Sequence, residues 1–162
     1  MKKFELTENY KMYFGHKLFQ IRALVSIKDV VEAGETGGYI EKECNLSQFG
    51  NSWVSGNACV YGNARVRGNA LVTENARVSG NALVSGYSRV TENARVSGNA
   101  FVVGNSCVSE NARVSGNAIL SGYSRVTENA RVSGNAFVGG NYCVSGNEHV
   151  HDDVLLLGDA SL

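Results

Sequence analysis

From Gly86 to Phe101 the chain reads GYSRVTENARVSGNAF, and the same residues return unchanged from Gly122 to Phe137. Inside that stretch Val90 and Val96 stand six apart, as do Ser88, Ala94 and Ala100. The step extends in both directions. It starts at Val54, runs through Val60, Val66 and Val72, and continues as an aliphatic residue at every sixth position to Leu156 and Leu162. Two residues before each sits a small one, from Ala58 to Ala136, and this second series frays at Tyr142, Glu148 and Val154. A fixed short period of this kind is the signature of a repeat architecture.

A spacing of two places the small residue and the valine on one face of a strand, with the residues beside the valine on the other. The two residues that follow are mostly Gly-Asn, Glu-Asn or Gly-Tyr. Glycine and asparagine tolerate left-handed backbone angles and so turn corners. Each hexad is a short strand and a corner, with valine filling the interior. Each buried valine contributes roughly 1.5–3 kcal/mol before its conformational entropy is counted.

The outward residue before each valine tells how many sides a lap has. It repeats in type every third hexad. One column holds Cys59, Arg77, Arg95, Arg113, Arg131 and His149; another holds Arg65, Leu83, Phe101, Ile119, Phe137 and Leu155; the third holds Trp53, Leu71, Arg89, Cys107, Arg125 and Cys143. Like stacks on like only if three hexads close a turn. The expected fold is all-β: a three-sided parallel β-helix over residues 52–162, of about six coils. At ~4.8 Å per coil it stands roughly 29 Å tall. Residues 1–51 break the step and are expected to form a small β cap over the first coil, since an open coil exposes unpaired strand edges. Phe4 and Leu6 alternate as in a strand. Residues 10–25 read as a hairpin around Gly15-His16. Gly34-Glu35-Thr36-Gly37-Gly38 reads as a loop, without the lysine or the spacing of a phosphate-binding motif.

The hexad Val-Ser-Gly-Asn-Ala-Arg resembles the hexapeptide repeat: aliphatic, small or acidic, two free, small, free. Periodicity does not fix handedness, and parallel crossovers are normally right-handed; the resemblance implies a left-handed helix. Gly37-Gly38-Tyr39-Ile40-Glu41, Asn45-Leu46-Ser47, Gly50 and Trp53, followed by the hexads, are similar to the start of small YdcK-like proteins of bacteria and phages. That family carries a transferase label that rests on its repeats alone. The resemblance implies a frequent trimeric state and, as its best-known activity, coenzyme-A-dependent acyl transfer with a histidine base and acetyl-coenzyme A as cofactor.

Composition narrows the function. Lysine plus arginine and aspartate plus glutamate each number 15, so the formal net charge is zero, which argues against a dedicated nucleic-acid coat. Proline is absent, against roughly 5% in ordinary proteins, yet 43% of residues are apolar, so a core can form. No apolar run approaches the ~20 residues of a membrane span. No secretory pattern follows Met1-Lys2-Lys3, so a cytoplasmic location with reduced thiols is expected.

Three surface features carry candidate chemistry. Leu83, Phe101, Ile119, Phe137 and Leu155 form an outward apolar column, with Val103 and Leu157 beside it. A monomer seldom exposes so continuous a ridge, so this face is expected to bind a second copy, as a dimer or trimer, or a protein partner. Arg77, Arg95, Arg113 and Arg131 could hold a small anionic ligand or an acidic partner. Glu74, Glu92, Glu110 and Glu128 lie three residues earlier and are expected to neutralise them. His149 and His151 flank an inward valine. They are the weak catalytic candidates, with no third ligand in place for a metal. Because no insertion interrupts the hexads, the expected function is a non-catalytic structural or binding protein without a cofactor. Capture of a host factor by a phage-encoded version, or sequestration of a small anion, is a special case. The alternative is the hexapeptide acyltransferase.

Overall fold

From Trp53 to Leu156 the chain follows the six-residue step lap by lap in a computed structural model, which describes residues 1–158. Leu162, the last member of the series, lies outside the described residues. Every valine or leucine from Val54 to Val144 at the six-step positions is fully buried, and Val150 nearly so. The alanine and serine column beside it is equally enclosed. Together they fill the inside of a tube with three walls.

Residues 18 apart pair in parallel, as Arg95 does with Arg77 and Arg113, Phe101 with Leu83 and Ile119, and Cys107 with Arg89 and Arg125. Three parallel sheets follow, one per outward column. The arginine wall runs from Cys59–Val60 to His149–Val150, the apolar wall from Arg65–Val66 to Leu155–Gly158, and the mixed wall from Trp53–Val54 to Cys143–Val144. The solenoid has about seven laps rather than about six. Tyr39–Ile40 pairs in parallel with Cys59–Val60, and Leu46 bridges Val66. These residues add a first lap whose irregular spacing hides it from the six-step.

The corners are built alike. In Ser97-Gly98-Asn99-Ala100 the Ala100 amide donates to Ser97 O at 3.3 Å, and only Gly98 has positive φ, +65°. A positive φ on the first central residue alone is the pattern of a type II′ turn. Two corners use glycine throughout most laps. The third uses Glu74, Glu92, Glu110 and Glu128, all at φ near +60°. One glycine corner is also zipped by side chains: Lys42 Nζ donates to Asn63, and each amide donates onward through Asn81, Asn99, Asn117 and Asn135 to Asp153, at 3.0–3.2 Å. The chain of amides starts on a cation and ends on an anion, so each bond polarises the next in the same sense.

At the N-terminus β1 (Phe4–Tyr13) and β2 (His16–Ala23) form an antiparallel hairpin whose turn is Phe14-Gly15, both at positive φ. Such a turn matches the twist of the strands it joins. β3 (Thr36–Ile40) pairs antiparallel with β2 and parallel with the first arginine-wall strand, so the hairpin extends that wall's sheet. The loop expected over Gly34–Gly38 is therefore only half a loop. Gly34 turns at φ +93°, but Gly37 and Gly38 are strand residues. A Cβ on Gly37 would lie 2.8 Å from the Trp53 ring, and one on Gly38 2.8 Å from Ala58 O. Glycine is there because the strand passes against the first lap with no room for a side chain.

Candidate functional site

The apolar column is in register across five laps, Leu83 to Leu155. Phe101 (43%) and Leu155 (62%) are exposed, as is Leu157 beside the column (60%), whereas Leu83, Ile119 and Phe137 are half-buried. The strand at Phe137–Gly140 is four residues long and pairs throughout with Leu155–Gly158. Gly139 is buried because the Phe137 ring lies over it; a Cβ there would meet that ring at 2.8 Å. Laps with phenylalanine alternate with laps carrying leucine or isoleucine, a direct consequence of the 36-residue duplication. Val103 is half-buried beside Phe101.

On the arginine wall Arg95, Arg113 and Arg131 are exposed and stacked in register. The expected neutralisation by the corner glutamates does not form: among the described residues none of these arginines makes an ion pair. The glutamates stand at the turn itself, at φ near +60°, rather than on the strand that carries the arginines. Arg77 differs, lying over the Tyr13 ring at 4.4 Å. His149 continues the arginine column, paired with Arg131. His151 is exposed, and its Nδ1 lies 2.8 Å from Asp152 Oδ2. The two histidines are exposed on the last described lap of this wall.

Sequence reasoning missed one cluster where the hairpin meets the first laps. His16 Nδ1 lies 2.8 Å from Glu41 Oε2, and Glu41 Oε1 accepts from the Gly62 amide at 2.8 Å. The His16 ring packs at 4.8 Å from Tyr61, which touches Tyr13 at 5.7 Å. Burial pushes the Glu41 carboxyl up, but the His16 and Gly62 hydrogen bonds and the charges of His16 and Lys42 outweigh it and hold it below its ordinary value. Nothing local in the sequence brings residues 16, 41 and 61 together; only the antiparallel return of β2 does. The ring contacts and the charged hydrogen bond tie the hairpin to the solenoid.

Among the described residues no helix is long and apolar enough to cross a membrane. A family model described as the YdcK β-solenoid repeat matches residues 76–92 and 94–110. Both segments begin on an inward alanine before the arginine wall and end on a corner glutamate, so each is one lap less a residue. The match and the three-sided parallel solenoid together fit a YdcK-like hexapeptide-repeat β-helix. Among the curated proteins the chain has no match.

Proposed function

We propose that this YdcK-like β-solenoid is a non-catalytic assembly protein, in which two chains pair antiparallel through their apolar walls and turn their polar walls outward to a partner. The observation that carries the reading is the in-register column Leu83, Phe101, Ile119, Phe137 and Leu155, none of whose members is buried in the single chain.

The pattern selects the geometry. If two walls met with their axes parallel, as about a threefold, like laps would face each other. Arg65 and Arg67 would then meet their own copies, and like charges directly opposed are destabilising. A two-fold axis lying in the interface, across the solenoid between the laps of Ile119 and Phe137, gives another outcome. Ile119 then faces the partner's Phe137, Phe101 faces the partner's Leu155, and Val103 faces the partner's Leu157. Each aromatic meets an aliphatic, and the Arg65 lap stays outside. Such an interface is isologous and closes on itself. The uninterrupted laps and the open setting of His149 and His151 support a binding role over acyl transfer.

Phe101→Asp with Phe137→Asp places four charges in the paired surface. Light scattering should then report a monomer that keeps the β-sheet circular dichroism of the wild type. An unchanged mass would remove this wall as the interface. A rise in melting temperature with acetyl-coenzyme A, lost in His149→Ala, would instead support the transferase.

A further inference from the structure

The 36-residue alternation that sets aromatic against aliphatic on the apolar wall also shapes the mixed wall. One lap carries Tyr87 with Arg89, and the lap two above carries Tyr123 with Arg125; the lap between carries Asn105 with Cys107. Short side chains between two long pairs leave a slot one lap wide. It forms a groove of about 480 Å³ lined by Tyr87, Arg89, Asn105, Cys107, Ser109 and Arg125, with Thr127 at its edge. Concave sites of this size hold small ligands.

The chemistry of the lining is specific. Arg89 and Arg125 lie two laps apart, roughly 9.6 Å along the axis, so an anion over Cys107 is about 4.8 Å from the level of each. That rise is within reach of both guanidiniums, whose planar forks match oxyanions. Both are exposed, and neither is engaged in an ion pair among the described residues. The arginine wall offers no equivalent, because Arg95, Arg113 and Arg131 follow lap upon lap with no gap between them. The floor is rigid and uncharged. Ser106 is buried, its hydroxyl 2.7 Å from Val103 O and 3.1 Å from Ser124 Oγ. Burial, with a smaller push from the Glu92 charge, raises the Cys107 thiol, and the charges of Arg125 and Arg89 with the Ser109 hydrogen bond only partly offset this, so the floor stays a neutral thiol at neutral pH. Tyr87 presents a mostly exposed ring beside the Asn105 amide, a surface suited to a polyhydroxylated ring rather than an apolar one.

We propose that this slot binds a monosaccharide phosphate, its phosphate seated over Cys107 between Arg89 and Arg125 and its sugar against Tyr87 and Asn105. The hydroxyls of Ser109 and Thr127 supply further donors to the phosphate. The site lies on a different wall from the dimer surface and does not depend on it.

Titration calorimetry with glucose 1-phosphate as the probe tests the assignment. Saturable binding is expected, weakened at least about tenfold in Arg89→Met with Arg125→Met. It should be lost in Cys107→Arg, which fills the slot with the side chain this column already carries one lap away on either side and so leaves the fold intact. The probe should also slow alkylation of Cys107 by iodoacetamide, read peptide by peptide, without protecting Cys143. Unphosphorylated glucose should bind far more weakly. The Phe101→Asp, Phe137→Asp variant should bind the probe as the wild type does, which separates failure of this site from failure of the dimer. Binding that survives in Cys107→Arg, equal binding of glucose, or no binding at millimolar probe would overturn the site. Inorganic phosphate binding as tightly as glucose 1-phosphate would overturn the sugar half of the assignment.

Discussion

The solenoid and the N-terminal hairpin are parts of one sheet, yet they are held in opposite ways. In the solenoid the contacts that fill the tube and zip its corner recur lap after lap: an inward valine, a small inward neighbour, a corner amide donating a hydrogen bond to the next. Stability there is close to a sum of nearly equal increments between neighbours. The hairpin rests on contacts that occur once. Lys3 Nζ donates to Ser52 O at 2.7 Å, Gln48 Oε1 accepts from the Lys3 amide at 2.7 Å, and Phe4 packs edge-on against Trp53. The difference teaches where the chain is vulnerable: losing one repeated contact removes a share, whereas losing a unique one removes a function.

Two asparagines put that contrast to the test. Asn45 is fully buried; its Oδ1 accepts from the Glu41 and Lys42 amides at 3.1 and 2.7 Å, and its Nδ2 donates to Gly62 O and Ala64 O at 3.2 and 2.8 Å. Asn99 is exposed and makes two ladder bonds, with Asn81 and Asn117, at 3.0 and 3.1 Å. Asn45→Ala leaves buried amides and carbonyls unpaired and should cost about 2–4 kcal/mol in urea unfolding, whereas Asn99→Ala should cost only about 1 kcal/mol. Hydrogen exchange should place the Asn45→Ala loss in the hairpin and first lap. Equal losses would mean that cap and laps are not energetically distinct.

The pH response sharpens the same comparison, because the entry to the hairpin holds a buried ammonium, Lys3, and the described laps hold none. Burial pushes Lys3 down from 10.5 to about 8. Between those values the unfolded chain keeps a proton that the folded chain has released. Stability gains from rising pH across that window, and below it both states hold the proton and the slope vanishes. Relative to Lys3→Met, the wild type should therefore become more stable between pH 8 and 10.5. Urea midpoints for both chains at either end of the window measure it, and parallel pH profiles would show that Lys3 is not desolvated.

The same contrast explains what could be read beforehand. The walls, their register and the columns Leu83 to Leu155 and Arg77 to Arg131 were legible because a six-residue period fixes which side chain faces out and an 18-residue period fixes what stacks on what. The first lap was not, since Tyr39, Ile40 and Leu46 lie off the step. The His16–Glu41 pair was not, since an antiparallel return carries no period. The missing arginine–glutamate pairs have a third cause: sequence spacing gives the neighbouring corner but not its backbone angles.

The smallest effect lies at those angles. Gly98 and Glu92 occupy adjacent corners of one lap, at φ +65° and +59°. Left-handed backbone costs an L-residue with a Cβ roughly 1–2 kcal/mol, and glycine almost nothing. A Cβ on Gly98 would also lie 2.8 Å from Gly116 N, whereas at Gly56, under the glutamate column, it would clear Glu74 N by 3.1 Å. Clearance varies from lap to lap, since Gly62, on the same corner as Gly98, has 3.2 Å to Gly80 O; the glutamate corner carries side chains and bears the backbone strain. Gly98→Ala meets both penalties and should destabilise by about 1–3 kcal/mol. Glu92→Gly relieves the strain but frees the unfolded chain, and the two oppose each other, leaving a net gain of about 0.5 kcal/mol. Thermal unfolding of the two variants should move the midpoint in opposite directions. A lower midpoint for Glu92→Gly would mean that the stacked glutamates make a stabilising contact across the corner strong enough to outweigh the strain they bear.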